Sequence, residues 1–230
     1  MAVALFHGVG DHGGCWEPFV RALEDPSLPV VCPNAPAHGG RRAIPGQTPH
    51  WENQLREAVA IVSRLADEQG SPIVVGGHSM GAGIALGLAA RRPDLVAALF
   101  LEDPPFYSLT GDPAADARLQ VLAPTLYPWF AGLQTASRDE VVATARSEHP
   151  KWPADEYELG AVAKLAVDVA AFSQPVRYIG TRWRTWAGAV GCEVQVVTGE
   201  PELGAILGYD EAAWLATWAG WRVDRFTAGH

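Results

Sequence analysis

The stretch that most limits the possible folds is Val74-Val75-Gly76-Gly77-His78-Ser79-Met80-Gly81-Ala82-Gly83. A short apolar run from Ile73 to Gly76 reads as a buried strand, and Ala82 to Arg92 reads as a helix rich in small residues. Between them, Gly77-His78-Ser79-Met80-Gly81 forms a G-x-S-x-G turn. In that setting the serine hydroxyl is thrown out beyond the sheet on a strained backbone. Glycines flank it because side chains would collide across so sharp a bend. The start of the following helix offers free N–H groups and a dipole that favour developing negative charge. The plain alternative is a glycine-rich turn in which Ser79 only caps the helix.

A chain of 230 residues with 48% hydrophobic and 19% charged residues suits one soluble domain, with room for an inserted subdomain. The formal net charge of −9 argues against nucleic acid or an anionic membrane as partner. No stretch is long and apolar enough to span a bilayer. Met1 to Phe6 has no basic region or cleavage site and reads as a strand rather than a signal peptide, so a cytoplasmic location is expected. Cys15, Cys32 and Cys192 are scattered and odd in number, which suits free thiols in a reducing compartment. No metal-ligand spacing appears, and neither metal nor organic cofactor is expected.

The chain alternates strands and helices. The strand Val3 to Phe6 runs into His7-Gly8-Val9-Gly10-Asp11-His12-Gly13-Gly14, a loop able to aim backbone N–H groups into a site. It lacks the Gly-Lys-Ser/Thr of a phosphate loop and does not fit the dinucleotide pattern. A helix over Trp16 to Asp25, a strand over Pro29 to Cys32 and an amphipathic helix over Trp51 to Glu68 follow. Leu95 to Leu101 is the strand after the serine helix, ending in Glu102-Asp103. From Phe106 to about Arg184 the pattern becomes short helices rich in Trp, Tyr and Phe. Strand character returns at Glu193 to Val197, a helix at Asp210 to Ala219, and a last strand at Trp221 to Phe226. This order predicts a mostly parallel, doubly wound α/β sheet covered on both faces. The core is expected over 1–103 and 189–230, with 104–188 as a helical cap insertion.

Sites in such sheets form at the carboxyl ends of strands. Ser79, the His7–Gly10 loop, Glu102/Asp103, Glu200/Glu202 and His230 all fall there. A serine hydroxyl needs a base within reach, and the base needs an orienting group. The chain order is Ser, then acid, then His. With that order, the His7-Gly8-Val9-Gly10 loop, Ala35-Pro36-Ala37-His38-Gly39, the Gly77–Gly81 turn, Leu101-Glu102-Asp103-Pro104, Thr198-Gly199-Glu200 and Ala228-Gly229-His230, the chain resembles α/β-hydrolase-fold serine hydrolases. The match covers nearly everything outside 104–188.

The resemblance implies Ser79 as nucleophile, His230 as general base, and the backbone N–H groups of Val9 and Met80 as an oxyanion hole. His7 and His78 are the competing histidines, and in this fold they more often brace loops. The acid stays open: Glu200 ranks first, Asp103 second and Glu202 third, with a solvated surface carboxylate as the ordinary role of the others. The family pattern continues with a helix after the histidine, so a segment beyond His230 is expected. The cap aromatics would in part line an apolar pocket, although most are expected to glue helices together. Arg182 and Arg184 are candidates for an anionic substrate group, with solvated surface the commoner role.

The resulting expectation is a cofactor-free serine hydrolase, monomer or homodimer, that cleaves a small ester or lactone with an apolar part. A lyase or carbon–carbon bond hydrolase on the same residues, or a non-catalytic binding protein, would share this sequence pattern. A haloalkane dehalogenase would need a carboxylate where Ser79 stands.

Overall fold

A computed structural model describes residues 1–43, 51–108, 123–173 and 182–230. Six strands form one sheet: β1 (Val3–Phe6), β2 (Val30–Val31), β3 (Ile73–His78), β4 (Val96–Glu102), β5 (Glu193–Thr198) and β6 (Arg222–Arg225). Every neighbouring pair is parallel, in the spatial order β2-β1-β3-β4-β5-β6. The chain first steps from β1 to β2 on one side and then crosses to β3 on the other. This reversal makes a crevice at the carboxyl ends of β1 and β3, the place where open α/β sheets bind ligands.

Strand alternation divides the core in two. Ala2, Ala4 and Phe6 face a large cluster with α2 (Trp51–Gln69) and α3 (Met80–Arg91), while Val3 and Leu5 face Trp16, Phe19 and Val20 around α1 (Glu17–Ala22). Residues Met80 to Ala89 of α3 are all buried. Their small side chains allow close approach: a Cβ on Gly87 would lie 2.9 Å from the Trp186 ring. The last helical segment begins as α8 (Tyr209–Trp214) and widens into a π turn over Leu215–Ala219.

The predicted strand and helix types hold throughout the core, with ends moved by one to a few residues. The expected helix over Trp16 to Asp25 splits into a 3-10 turn, Gly13–Trp16, and the short α1, since Pro18 sits at its first turn. The expected strand over Pro29 to Cys32 keeps only Val30–Val31 in the ladder.

Between β4 and β5 lie α4 (Ala123–Leu133), α5 (Arg138–Glu148), α6 (Ala154–Leu165), a 3-10 turn (Val169–Ser173) and α7 (Trp183–Ala187). Trp183 and Trp186 of α7 pack in the main core, whereas Phe130 and Phe172 form a separate cluster with Ala37 and Val167. That cluster is tied to the loop after β2: Asp168 N–H donates to Ala37 O at 2.9 Å, and Gly40 N–H donates to Ala166 O at 2.9 Å.

Candidate active site

Ser79 follows β3 with φ 50° and ψ −116°, a backbone conformation that L residues rarely adopt. The flanking glycines are required by contact. A Cβ on Gly77 would lie 2.3 Å from Gly81 C, and one on Gly81 would lie 2.0 Å from Phe6 O. Ser79 N–H donates to Glu102 O at 2.9 Å, and its carbonyl accepts from Gly83 N–H at 3.2 Å. The hydroxyl does not cap α3, so the plain capping turn is not what forms here. Ser79 is only 2% exposed.

Asp103 stands one residue past the end of β4, itself at a positive φ of 36°. Its carboxylate is buried and fully engaged. Oδ1 accepts from Thr198 Oγ1 at 2.7 Å and Leu207 N–H at 3.1 Å; Oδ2 accepts from Ile206 N–H at 2.8 Å and His230 Nδ1 at 2.5 Å. Burial alone would raise this carboxyl, but the bonds from His230, the two amides and the Thr198 hydroxyl hold it at about 2. An ionised acceptor fixes the proton of His230 on Nδ1 and leaves Nε2 as the basic nitrogen.

The carboxylate bonded to His230 is therefore Asp103, the second of the three acids ranked from the sequence, and not Glu200 or Glu202. Glu200 is turned elsewhere: Oε1 accepts from Thr227 Oγ1 at 3.3 Å, and its peptide N–H donates to Ala228 O at 2.8 Å. Glu202 accepts from the Tyr209 phenol at 2.8 Å. The physical reason is the turn at 204–207, which brings two amides onto Asp103 and leaves Glu200 bonded along the C-terminal strand exit.

His230 and Ser79 come from separate strand ends. His78, bonded covalently to Ser79, lies with its ring 4.6 Å from the His230 ring. Among the described residues, no hydrogen bond joins Ser79 Oγ to His230.

The other two histidines beside glycine motifs have bracing or pairing roles. His7 Nδ1–H donates to Gly8 O at 2.7 Å and Nε2 accepts from Ala35 N–H at 3.0 Å, so this buried ring ties the first loop to the second. Burial lowers its pKa below the ordinary value. His78 Nδ1 lies 3.6 Å from Asp11 Oδ2. Neither the Val9 nor the Met80 amide joins the turn and loop hydrogen bonds among the described residues.

A cleft of about 480 Å³ opens over these strand ends. Its polar lining comes from Asp11, His78, Glu102, His230 and, from α6, Glu156 and Lys164. Its apolar lining includes Val9, Trp16, Phe19, Trp129, Trp152 and Pro153. Among the described residues between β4 and β5, the aromatics Trp129 and Trp152 line the cleft, while Phe130, Tyr157, Phe172, Trp183 and Trp186 are buried in packing. Arg184 lies over the Trp183 ring and bonds Ser108, outside the cleft; Arg182 is exposed and does not line it. Sequence reasoning missed Asp11, Glu156, Lys164 and the Thr198 hydroxyl; only Asp11 carried a signal, its place in the first glycine loop. Among the described residues no group of His, Cys, Asp and Glu is arranged to hold a metal ion, and no helix is long and apolar enough to cross a membrane.

Comparison with known proteins places this geometry in a family. The model for "Serine aminopeptidase, S33" matches residues 1–171. Lipase LipV of Mycobacterium tuberculosis is 41% identical over 103 residues, which are 44% of this chain and 36% of that protein. Human monoglyceride lipase is 30% identical over 124 residues, 53% of this chain and 39% of that protein. The chain thus spans about two fifths or less of the length of these relatives. Among solved structures, E-2-(acetamidomethylene)succinate hydrolase superposes with a TM-score of 0.73 at 18% identity, over 98% of this chain and 83% of that one. A peroxisomal α/β-hydrolase of Saccharomyces cerevisiae superposes with a TM-score of 0.66 at 15% identity, over 98% and 69% of the two chains. The fold is that of the α/β-hydrolases, and the chain belongs to the serine aminopeptidase S33 family within it.

Proposed function

We propose that this protein is a serine esterase whose substrate joins an apolar acyl group to a more polar alcohol, with lactones as the cyclic counterpart. The observation that carries the reading is the bond from His230 Nδ1 to the ionised Asp103, next to a serine held in a strained turn. Helices α4 to α6 within 104–188 act as the cap, and Trp129 and Trp152 receive the acyl chain. Asp11, Glu156 and Lys164 supply polar lining suited to the alcohol. The lipase names of the relatives support the same class.

In the first half-reaction Ser79 Oγ attacks the ester carbonyl while His230 Nε2 takes its proton. Charge on the carbonyl oxygen is met by the Val9 and Met80 amides, each worth about 10²–10³ in turnover. His230 returns the proton to the departing alkoxide, leaving an acyl group on Ser79. Water then attacks, His230 again takes and returns a proton, and the carboxylic acid leaves. Asp103 stays ionised and stabilises the imidazolium in both halves. No organic cofactor or metal enters these steps. The protein works as a monomer or homodimer in a reducing compartment, consistent with three free cysteines.

A panel of nitrophenyl esters, monoacylglycerols and lactones tests the reading, together with a fluorophosphonate probe and mass mapping of the adduct. The expected result is ester turnover with the adduct on Ser79. No turnover and no adduct, or activity retained in Ser79→Ala, would overturn it. Turnover without an acyl-serine intermediate would instead indicate lyase chemistry.

A further inference from the structure

We propose that Asp11 and His78 form a positioning pair whose His78 ring, set against the His230 ring, counters the pull of Asp103 and so tunes the proton affinity of His230. The proposal rests on His230 as the general base.

The geometry is specific. Asp11 Oδ2 lies 3.6 Å from His78 Nδ1, an ion-pair distance rather than a hydrogen bond. The His78 ring lies 4.6 Å from the His230 ring, tilted by 34°. Gly8 makes room for the pair, because a Cβ there would lie 2.8 Å from both Asp11 Oδ2 and His78 Nδ1. The glycine loop after β1 thus has a second duty besides presenting the Val9 amide.

The charge balance explains why such a pair is useful. Asp103, bonded to His230 Nδ1, favours the imidazolium form. A second cation in ring contact opposes that. The groups facing His78 favour its charged form. Burial works against the charge, but Asp11, Glu102 and Asp103 together raise its pKa. Asp11 is correspondingly well below the usual carboxylate range, against the effect of burial and chiefly because of His78. His7 faces the pair from the end of β1, and Lys164 and Glu156 line the same cleft from α6. Burial, the largest influence on His7, disfavours its charged form.

The test is an NMR titration of ring-labelled histidine in the full chain, with the His230 signal assigned from its absence in His230→Gln. The variants Asp11→Asn, His78→Gln and His78→Lys are compared with the parent. Without the Asp11 carboxylate, His78 holds its proton less firmly and the His230 midpoint is expected to rise. In His78→Gln the midpoint rises further, by about one pH unit, because an unpaired Asp11 remains. His78→Lys restores a fixed cation and returns the midpoint toward the parent value. Where esters are turned over, the acid limb of kcat/KM moves in the same order. A merely structural pair would lower activity without this ordering.

Unchanged His230 midpoints in Asp11→Asn and His78→Gln overturn the proposal. If His78→Gln fails to fold, Asp11→Asn, at a partly exposed carboxylate, decides it alone. The titration needs no substrate, so an inactive parent protein removes the esterase reading and leaves this measurement intact.

Discussion

Asp103 Oδ2 and His230 Nδ1 meet at 2.5 Å across 127 residues of chain. Four hydrogen bonds converge on that carboxylate, while Glu200 carries one contact to Thr227. The two acids are therefore separable by experiment. Asp103→Asn should lower kcat/KM for esters by about 10³–10⁴, since an amide cannot hold the imidazole proton on Nδ1 or stabilise the imidazolium. Glu200→Gln should leave it within a few-fold. Steady-state kinetics on both variants checks the pair, and the reverse ranking would restore Glu200.

Removing the nucleophile should separate chemistry from folding. Ser79→Ala is expected to lose ester turnover and probe labelling while keeping the parent circular dichroism spectrum. Its thermal midpoint should equal or exceed that of the parent, because the hydroxyl makes no capping bond that folding depends on. A drop of many degrees would mean that the hydroxyl braces the turn.

The glycines of the turn should be far less tolerant. Gly81→Ala places a methyl group 2.0 Å from Phe6 O, and Gly77→Ala places one 2.3 Å from Gly81 C. Backbone on both sides leaves no cheap relaxation, so a loss of several kcal/mol or failure to fold is expected. By contrast Gly132→Ala meets open space within α4 and should be neutral or slightly stabilising. Denaturant melts of the soluble variants make the comparison.

His38 should make stability depend on mildly acid pH. The ring is 0% exposed, stands 5.1 Å from His7, and has no partner on Nε2 among the described residues. Burial, then His7, lowers its pKa from 6.5 to about 4. The unfolded chain therefore binds the proton more readily. The stability is complete above about 6.5 and is lost as the pH falls toward 4, by roughly 3 kcal/mol. His38→Gln should flatten that fall in thermal midpoint between pH 7 and 4.5, and an unchanged slope would contradict the assignment.

Trp129 and Trp152 should govern the acyl side of selectivity. Truncating either to Ala is expected to lower kcat/KM by about tenfold for medium-chain esters and less for acetates, mainly through KM. An equal loss for every chain length would place the acyl group elsewhere.

The parallel sheet, the sharp turn at Ser79 and the place of His230 after the last strand were legible in the sequence because each is written in a few adjacent residues. Gly77 and Gly81 are demanded by contacts over one bend. The alternation of Val3 to Phe6 assigns its side chains to two faces without reference to anything distant. The choice among carboxylates was different. Glu200 and Asp103 both follow strands, and nothing local separates them. The amides of Ile206 and Leu207 select Asp103, and they arrive there only when the chain after β5 folds back. The same holds for Asp11, which meets His78 across 67 residues only because β1 and β3 are neighbours in the sheet. Local patterns determine turns and faces; electrostatic partners are chosen by distance in space, and packing of the whole chain sets that distance.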